Sequence, residues 1–181
     1  MTEFPLDKAF HFLEPGPVVL LTTAQGGKAN VMTMSWHMLM DFTPQIGCVV
    51  SPGNHSFAAL SQTGECVIAI PTVDLIETVV DIGNCSGRDV DKLQAFGLTA
   101  RPAEKVQAPL IAECLANLEC RVIDDSLADR YCLFVLECVQ AWIDPGRTER
   151  RTCHAVGDGT FVVDGRTLDL KKRMVKWPQF I

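Results

Sequence analysis

The chain has 181 residues, 48% apolar and 21% charged, with a formal net charge of −6, a composition that suits one globular domain with a full core and leaves little for a second. Nucleic acid is a poor match as a partner, because neutralising phosphates takes clustered Lys and Arg and the basic runs at 147–151 and 171–176 are short. No apolar run approaches the roughly 18 residues of a membrane helix and no basic, then apolar, leader opens the chain, so the expectation is a single domain over 1–181, soluble, cytoplasmic and without a membrane partner.

In chain order, Leu6, Ala9, Phe10 and Leu13 share one face of a short lid helix that begins near Pro5 and stops by Pro15-Gly16-Pro17. The β-branched run 17–23 and the segment 29–35 read as two strands joined by the turn Gln25-Gly26-Gly27-Lys28. Strands at 46–51 and 66–70 flank a short helix carried by Phe57 and Leu60. Asp74 and Glu77, three apart, resemble a capping box ahead of a helical stripe of Leu75, Ile76, Val79 and Val80 that Gly83 ends.

Two long strands follow, 115–123 and 131–143, joined by a polar turn through Asp124, Asp125 and Asp129. Alternation in the second places Leu133, Val135 and Val139 on one face and Phe134, Leu136 and Trp142 on the other, so one face fills a barrel and the other meets a partner. A last hairpin turns at Asp164-Gly165 before a basic tail. The eight cysteines form no CxxC pair, and their places within apolar strand patterns make them free, buried thiols rather than zinc ligands.

Strands outnumber helices, connections are mostly hairpins, and no strand runs into a glycine-rich turn that opens a helix; an antiparallel barrel fits better than a doubly wound fold. The segment from Asn30 to Trp36 draws attention as either a core strand or a ring site: Met34 offers apolar surface, Thr33 and Ser35 offer hydroxyls, and Trp36 offers an indole face. Ser51 to Phe57 runs off a strand into a helix start, where free N–H groups favour an anion. Arg88 and Lys92, four apart, would share a face if their segment is helical. No order of Ser, His and acid suggests a hydrolase, and no paired carboxylates suggest glycoside chemistry.

Read together, PGPVVLLTT, NVMTMSWHM followed by FTP, SPGNHSF, SGRDVDK with GLT, and APLIAECLANLECRV resemble the flavin reductase-like FMN-binding split-barrel family, particularly its flavoredoxin branch, over roughly residues 15 to 165. The resemblance implies a mainly β fold, a six-stranded antiparallel Greek-key split β-barrel with flanking helices, assembled as a homodimer with FMN held non-covalently near the interface. It implies flavin contacts at Asn30, Ser35 and Trp36, with Thr33, Met34 and Ser51 beside them, and phosphate contacts at Ser56 and Lys92. Arg88 is either a further phosphate contact or a surface ion pair with Asp89 or Asp91. His55 is read as solvent-facing, and His154 as a structural residue that could instead approach the flavin.

The activity so implied is an FMN-dependent oxidoreductase, a flavin or ferric reductase in which NAD(P)H supplies hydride and a small molecule or protein accepts the electrons. No catalytic side chain and no metal are required, since the flavin would carry the chemistry. The alternatives are a flavoredoxin-type electron carrier that never meets NAD(P)H, and a non-catalytic flavin-binding module on the same barrel.

Overall fold

The computed structural model describes residues 16–41 and 43–173. The expected lid helix at 5–13 lies outside them. Eleven strands appear among the described residues: β1 Val19–Gln25, β2 Lys28–Met34, β3 His37–Leu39, β4 Gln45–Val49, β5 Glu65–Ile70, β6 Ala100–Arg101, β7 Leu110–Ile111, β8 Ala116–Leu127, β9 Leu133–Ile143, β10 Cys153–Ala155 and β11 Phe161–Val163. Four α-helices accompany them, α1 His55–Thr63, α2 Ile76–Gly83, α3 Lys92–Ala95 and α4 Ala128–Tyr131.

Seven strands form one antiparallel sheet in the order β2-β1-β5-β8-β9-β4-β3. Its two edge strands, β2 and β3, are consecutive in the chain and separated only by Ser35 and Trp36. That short link curls the sheet on itself, and a bond from the Val49 N–H to the Trp36 carbonyl at 3.0 Å helps hold β4 near the link. The result is a split barrel. The main sheet has seven strands rather than the expected six because Ser35 and Trp36 break one run into β2 and β3.

The first hairpin follows the sequence signal. Gln25 pairs with Lys28 across a two-residue turn, and Gly26 and Gly27 both take the positive φ that such a turn demands, 57° and 77°. β1 is apolar on both faces. Val19 and Leu21 join Met34, Phe134 and Leu136 inside the barrel, while Val18 and Leu20 join Val31, Val79 and Ile82 beneath α2. Its central position, paired on both sides and packed on both faces, explains the unbroken apolar run.

Four expectations need correction. Asp74 does not cap a helix: its carboxylate accepts from Thr72 Oγ1 and from Arg147 Nη2 at 2.8 Å to each oxygen, tying the turn before α2 to the loop after β9. The Thr72 hydroxyl, ahead of the Arg147 guanidinium, holds the Asp74 carboxyl below its usual range. The polar turn at 124–129 is shorter than expected, because β8 continues to Leu127 and α4 makes the reversal. The final hairpin pairs Cys153–Ala155 with Phe161–Val163 around Gly157 and Gly159, not around Asp164-Gly165.

The fourth correction concerns the faces of β9. Phe134 and Leu136 are fully buried in the barrel, so theirs is the interior face, and Trp142 is not on it. The register steps from Glu119↔Gln140 to Cys120↔Cys138, leaving one extra residue on β9. A bulge of this kind reverses the alternation, so the period-two reading fails beyond it. Val139, the extra residue, packs outside the barrel with Val67, Val106 and Ala108, on the side expected for it, and Trp142 is the residue that the bulge moves to the other face.

All eight cysteines are free. Register aligns Cys66 with Cys120 and Cys120 with Cys138, a row of thiols across three strands. Burial pushes the Cys48 and Cys114 thiols up to about 12, which suits packing rather than reactivity. No group of His, Cys, Asp or Glu among the described residues could hold a metal ion. No helix among the described residues is long and apolar enough to cross a membrane.

Candidate functional site

The strand β2, the start of α1 and the segment from Ile82 to Lys92 enclose a polar cavity of about 120 Å³. Asn30 stands on β2 at the rim and donates from Nδ2 to the Ser56 Oγ at 2.8 Å, joining the edge strand to the first turn of α1. Ser56 is buried, and its own hydroxyl hydrogen is left to donate into the cavity. The helix begins without a side-chain cap. Asn54, at the cap position, turns its Oδ1 toward Ser51 instead, accepting from the backbone N–H at 3.0 Å and from Oγ at 3.2 Å. The Phe57 N–H donates to the Asn54 carbonyl at 3.1 Å, and the His55 and Ser56 N–H groups are left for another acceptor, at the positive end of the helix dipole.

Lys92 brings the charge. It is only 5% exposed, and its Nζ donates to the Ile82 carbonyl at 2.8 Å, with no carboxylate paired to it among the described residues. Burial pulls the ammonium below the ordinary lysine value, the nearby Cys85 acting in the opposite sense. A buried cation with one carbonyl partner has two donors to spare and a strong electrostatic demand for an anion. Asp91 caps the short α3 by accepting from the Gln94 N–H at 3.2 Å, which fixes the turn that delivers Lys92 inward. Gly87 completes the wall; a Cβ there would overlap the Asn30 amide and the His55 ring.

Ser35 and Trp36 lie elsewhere. They line a separate, mainly apolar cavity of about 290 Å³ with Met38, Val49, Leu133 and Gly157. The indole is 63% exposed, and Met38, Leu39 and Met40 are exposed beside it. This face is the outer surface of β3 and β4 together with the β10 to β11 turn.

Of the residues singled out in the sequence, Asn30, Thr33, Ser56 and Lys92 therefore meet around one cavity. Thr33 reaches it with its hydroxyl already committed to the Val79 carbonyl. Met34 is buried among the barrel's interior residues and does not line it. Ser51 is exposed and acts on Asn54. Arg88 and Lys92 share no helical face, because α3 begins only at Lys92; Arg88 is exposed and forms no ion pair with Asp89 or Asp91. His55 is exposed yet lines the cavity rim. His154 sits on β10 with Nε2 3.4 Å from Asp164 Oδ1, a structural pairing.

Sequence reasoning passed over Gly53, Asn54, Cys85, Ser86 and Gly87, all of which line the cavity. The local signal was present in two small-residue turns, PGN and CSG, each leading to one of the polar residues already marked.

Comparison with known proteins agrees with this architecture. Residues 12–162 match the family described as flavin reductase-like domain. The YddH protein of Escherichia coli is 31% identical over 176 residues, covering 89% of this chain and 93% of that protein. A protein of Archaeoglobus fulgidus is 37% identical over 111 residues, and the match spans 61% of this chain and less than two thirds, 63%, of that protein's length. Among solved structures, the FMN-binding domain of a flavin reductases-like enzyme from Shewanella baltica superposes with a TM-score of 0.78 at 27% identity, covering 93% of this chain and 96% of that one. The flavoredoxin of Methanosarcina acetivorans shares the fold at a TM-score of 0.78 and 23% identity, over 97% of each chain. With its curled antiparallel sheet and its match over most of its length, the chain belongs to the flavin reductase-like domain family.

Proposed function

We propose that the protein is an FMN-binding oxidoreductase that takes hydride from NAD(P)H and passes electrons to a small-molecule or protein acceptor. One observation carries the reading: the buried, carboxylate-free Lys92 ammonium faces the same small cavity as the uncapped start of α1. Those are the donors a phosphate monoester needs, and the cavity has room for that group and little more. Asn30 and Ser56 orient the remaining donors. Arg88, exposed and next in the chain to Gly87, lines a neighbouring cleft rather than this cavity. Ser35 and Trp36 are the candidate contacts for the flavin ring, with Thr33 at the phosphate cavity and Met34 withdrawn into the barrel core.

FMN, when bound, supplies the redox chemistry, accepting a hydride equivalent and releasing electrons to an acceptor. The chain's own part is to hold the phosphate, to offer an apolar ring face and to exclude water. Support for a flavin ligand also comes from the Shewanella baltica relative, which is described as FMN-binding.

The exposed surface of Trp36, Met38, Leu39 and Met40 supports a homodimer, since apolar groups gathered on one face mark an interface. The eight unpaired cysteines suit a reducing, cytoplasmic setting. Titrating the purified protein with FMN and riboflavin, then following NAD(P)H oxidation by the loss of nicotinamide absorbance, tests the reading. Saturable FMN binding with turnover is the expected result. FMN binding without turnover would leave an electron carrier, and no flavin binding would end the proposal.

A further inference from the structure

Cys85 lies in the wall of the anion cavity, between the end of α2 and the turn that leads to Lys92. It is one of three cysteines that are half-buried rather than buried, the others being Cys132 and Cys138. Cys138 is ill suited to reaction, because its contact with Cys120, ahead of burial, pushes its thiol well above the ordinary range. Cys85 differs in what stands beside it. Its Sγ donates to the Ile82 carbonyl at 3.7 Å, and the Lys92 Nζ donates to the same oxygen at 2.8 Å. A thiol and an ammonium thus converge on one acceptor, and the two end atoms can lie no further apart than those two bonds laid end to end.

The pair has unused capacity. Lys92 is more than nine-tenths buried, and the Ile82 carbonyl takes one of its three N–H donors, with no carboxylate paired to it among the described residues. Charge at the Cys85 sulfur favours that ammonium, in the sense opposite to burial. A cation next to a sulfur in turn favours the anionic forms of sulfur, which are the forms that peroxides oxidise and the forms that oxidation leaves behind. Among the described residues lining the cavity, Cys85 is the single cysteine, so no second thiol there can trap a first oxidation product as a disulfide.

We infer that Cys85 is an oxidation site that closes the anion cavity: hydrogen peroxide converts its thiol to a sulfinate, which takes the free Lys92 donors and leaves no room for a phosphate. The thiol and one peroxide give a sulfenic acid and water; the sulfenic acid and a second peroxide give a sulfinic acid and a second water, whose acidic proton goes from the sulfinic group to solvent. In each step an O–O bond breaks, an S–O bond forms, the sulfur is oxidised and the peroxide is reduced. A cavity of about 120 Å³ holds one such anion and not two. This rests on the proposed function in one respect, that the anion kept out is the phosphate of FMN.

The test treats the full chain, as wild type, Cys85→Ser and Lys92→Gln, with hydrogen peroxide, maps the added oxygen by peptide mass spectrometry and titrates each sample with FMN before and after. In the wild type Cys85 should gain two oxygens several-fold faster than Cys132 or Cys138, and inorganic phosphate or FMN should slow that gain. FMN affinity should then fall about tenfold or more. In Lys92→Gln the gain at Cys85 should slow several-fold, and in Cys85→Ser peroxide should leave FMN affinity at that variant's own starting value. Oxidation at Cys85 no faster than at the other two half-buried thiols, or as fast in Lys92→Gln as in the wild type, overturns the inference, as does a Cys85 sulfinate that binds FMN like the untreated protein. If FMN never binds, while Cys85 is oxidised selectively, more slowly with inorganic phosphate present and more slowly without Lys92, the proposed flavin site fails and the oxidation site stands.

Discussion

Trp142 donates its indole N–H to the Glu119 Oε1 at 2.7 Å, and this contact joins two strands to the loop that covers them. Glu119 is fully buried. It also accepts from the Glu104 N–H at 3.0 Å and from the Lys105 N–H, so a single carboxylate gathers the 104–106 loop over β8. Burial alone would raise its pKa, but the donors around it outweigh burial and hold it below the ordinary value.

Glu119→Gln should therefore destabilise the fold by about 1 to 3 kcal/mol, because the amide turns one acceptor oxygen into a donor facing donors. The pH sign follows from the depressed pKa. The contribution is fully present above the unfolded glutamate value of about 4.3 and is lost as pH falls through the folded one. Urea melts at pH 7 and at pH 3 to 4 should show the gap between wild type and variant narrowing in acid. A gap that stays constant or widens would show that the loop is held by other contacts.

Lys92→Met keeps the aliphatic stem and removes the charge. FMN affinity should fall by about 1.5 to 3 kcal/mol, the usual worth of a charge-assisted hydrogen bond, with riboflavin affinity nearly unchanged. Without ligand the variant should be as stable as the wild type or more so, since a buried cation with one carbonyl partner is costly to the fold. Equal losses for both ligands in fluorescence titrations would assign Lys92 to folding instead.

Trp36→Ala should weaken FMN and riboflavin together by about 1 to 2 kcal/mol, and Trp36→Phe should recover most of the loss. Because the indole lies in a cavity apart from Lys92, the Trp36 and Lys92 losses in FMN affinity should add in the double variant. Marked non-additivity would place both side chains at one end of the ligand.

Much of this was legible because it depends on local chemistry. The Gly26-Gly27 turn, the doubly apolar β1 and the run from Ser51 into α1 each follow from adjacent residues. The β9 faces did not, because a single extra residue near Val139 reverses alternation and periodicity cannot see a bulge. The role of Asp74 was hidden for a different reason: Arg147 lies 73 residues away, and a long-range ion pair outcompeted the local cap. Asn30, Ser56 and Lys92 were marked through resemblance, while their meeting at one cavity is a product of the curl in the sheet.

The burial of Phe134 and Leu136 inside the barrel decides which variant should split the proposed dimer. Leu136, with Phe134, is fully buried and belongs to the barrel core, so Leu136→Asp should unfold the chain, losing several kcal/mol of the kind that a buried unpaired charge costs. The exposed apolar groups are instead Met38, at 55%, and Leu39, at 80%, on the edge strand β3, with the half-buried Leu133 opposite Val49 on the next strand pair. An edge strand with such side chains is a ready template for association. Met38→Asp should therefore leave the far-UV circular dichroism and the thermal melt of the monomer fold intact while halving the mass seen by light scattering at micromolar concentration. If wild type and Met38→Asp both scatter as monomers, this face is not an interface. If both scatter as dimers, the interface lies on another surface.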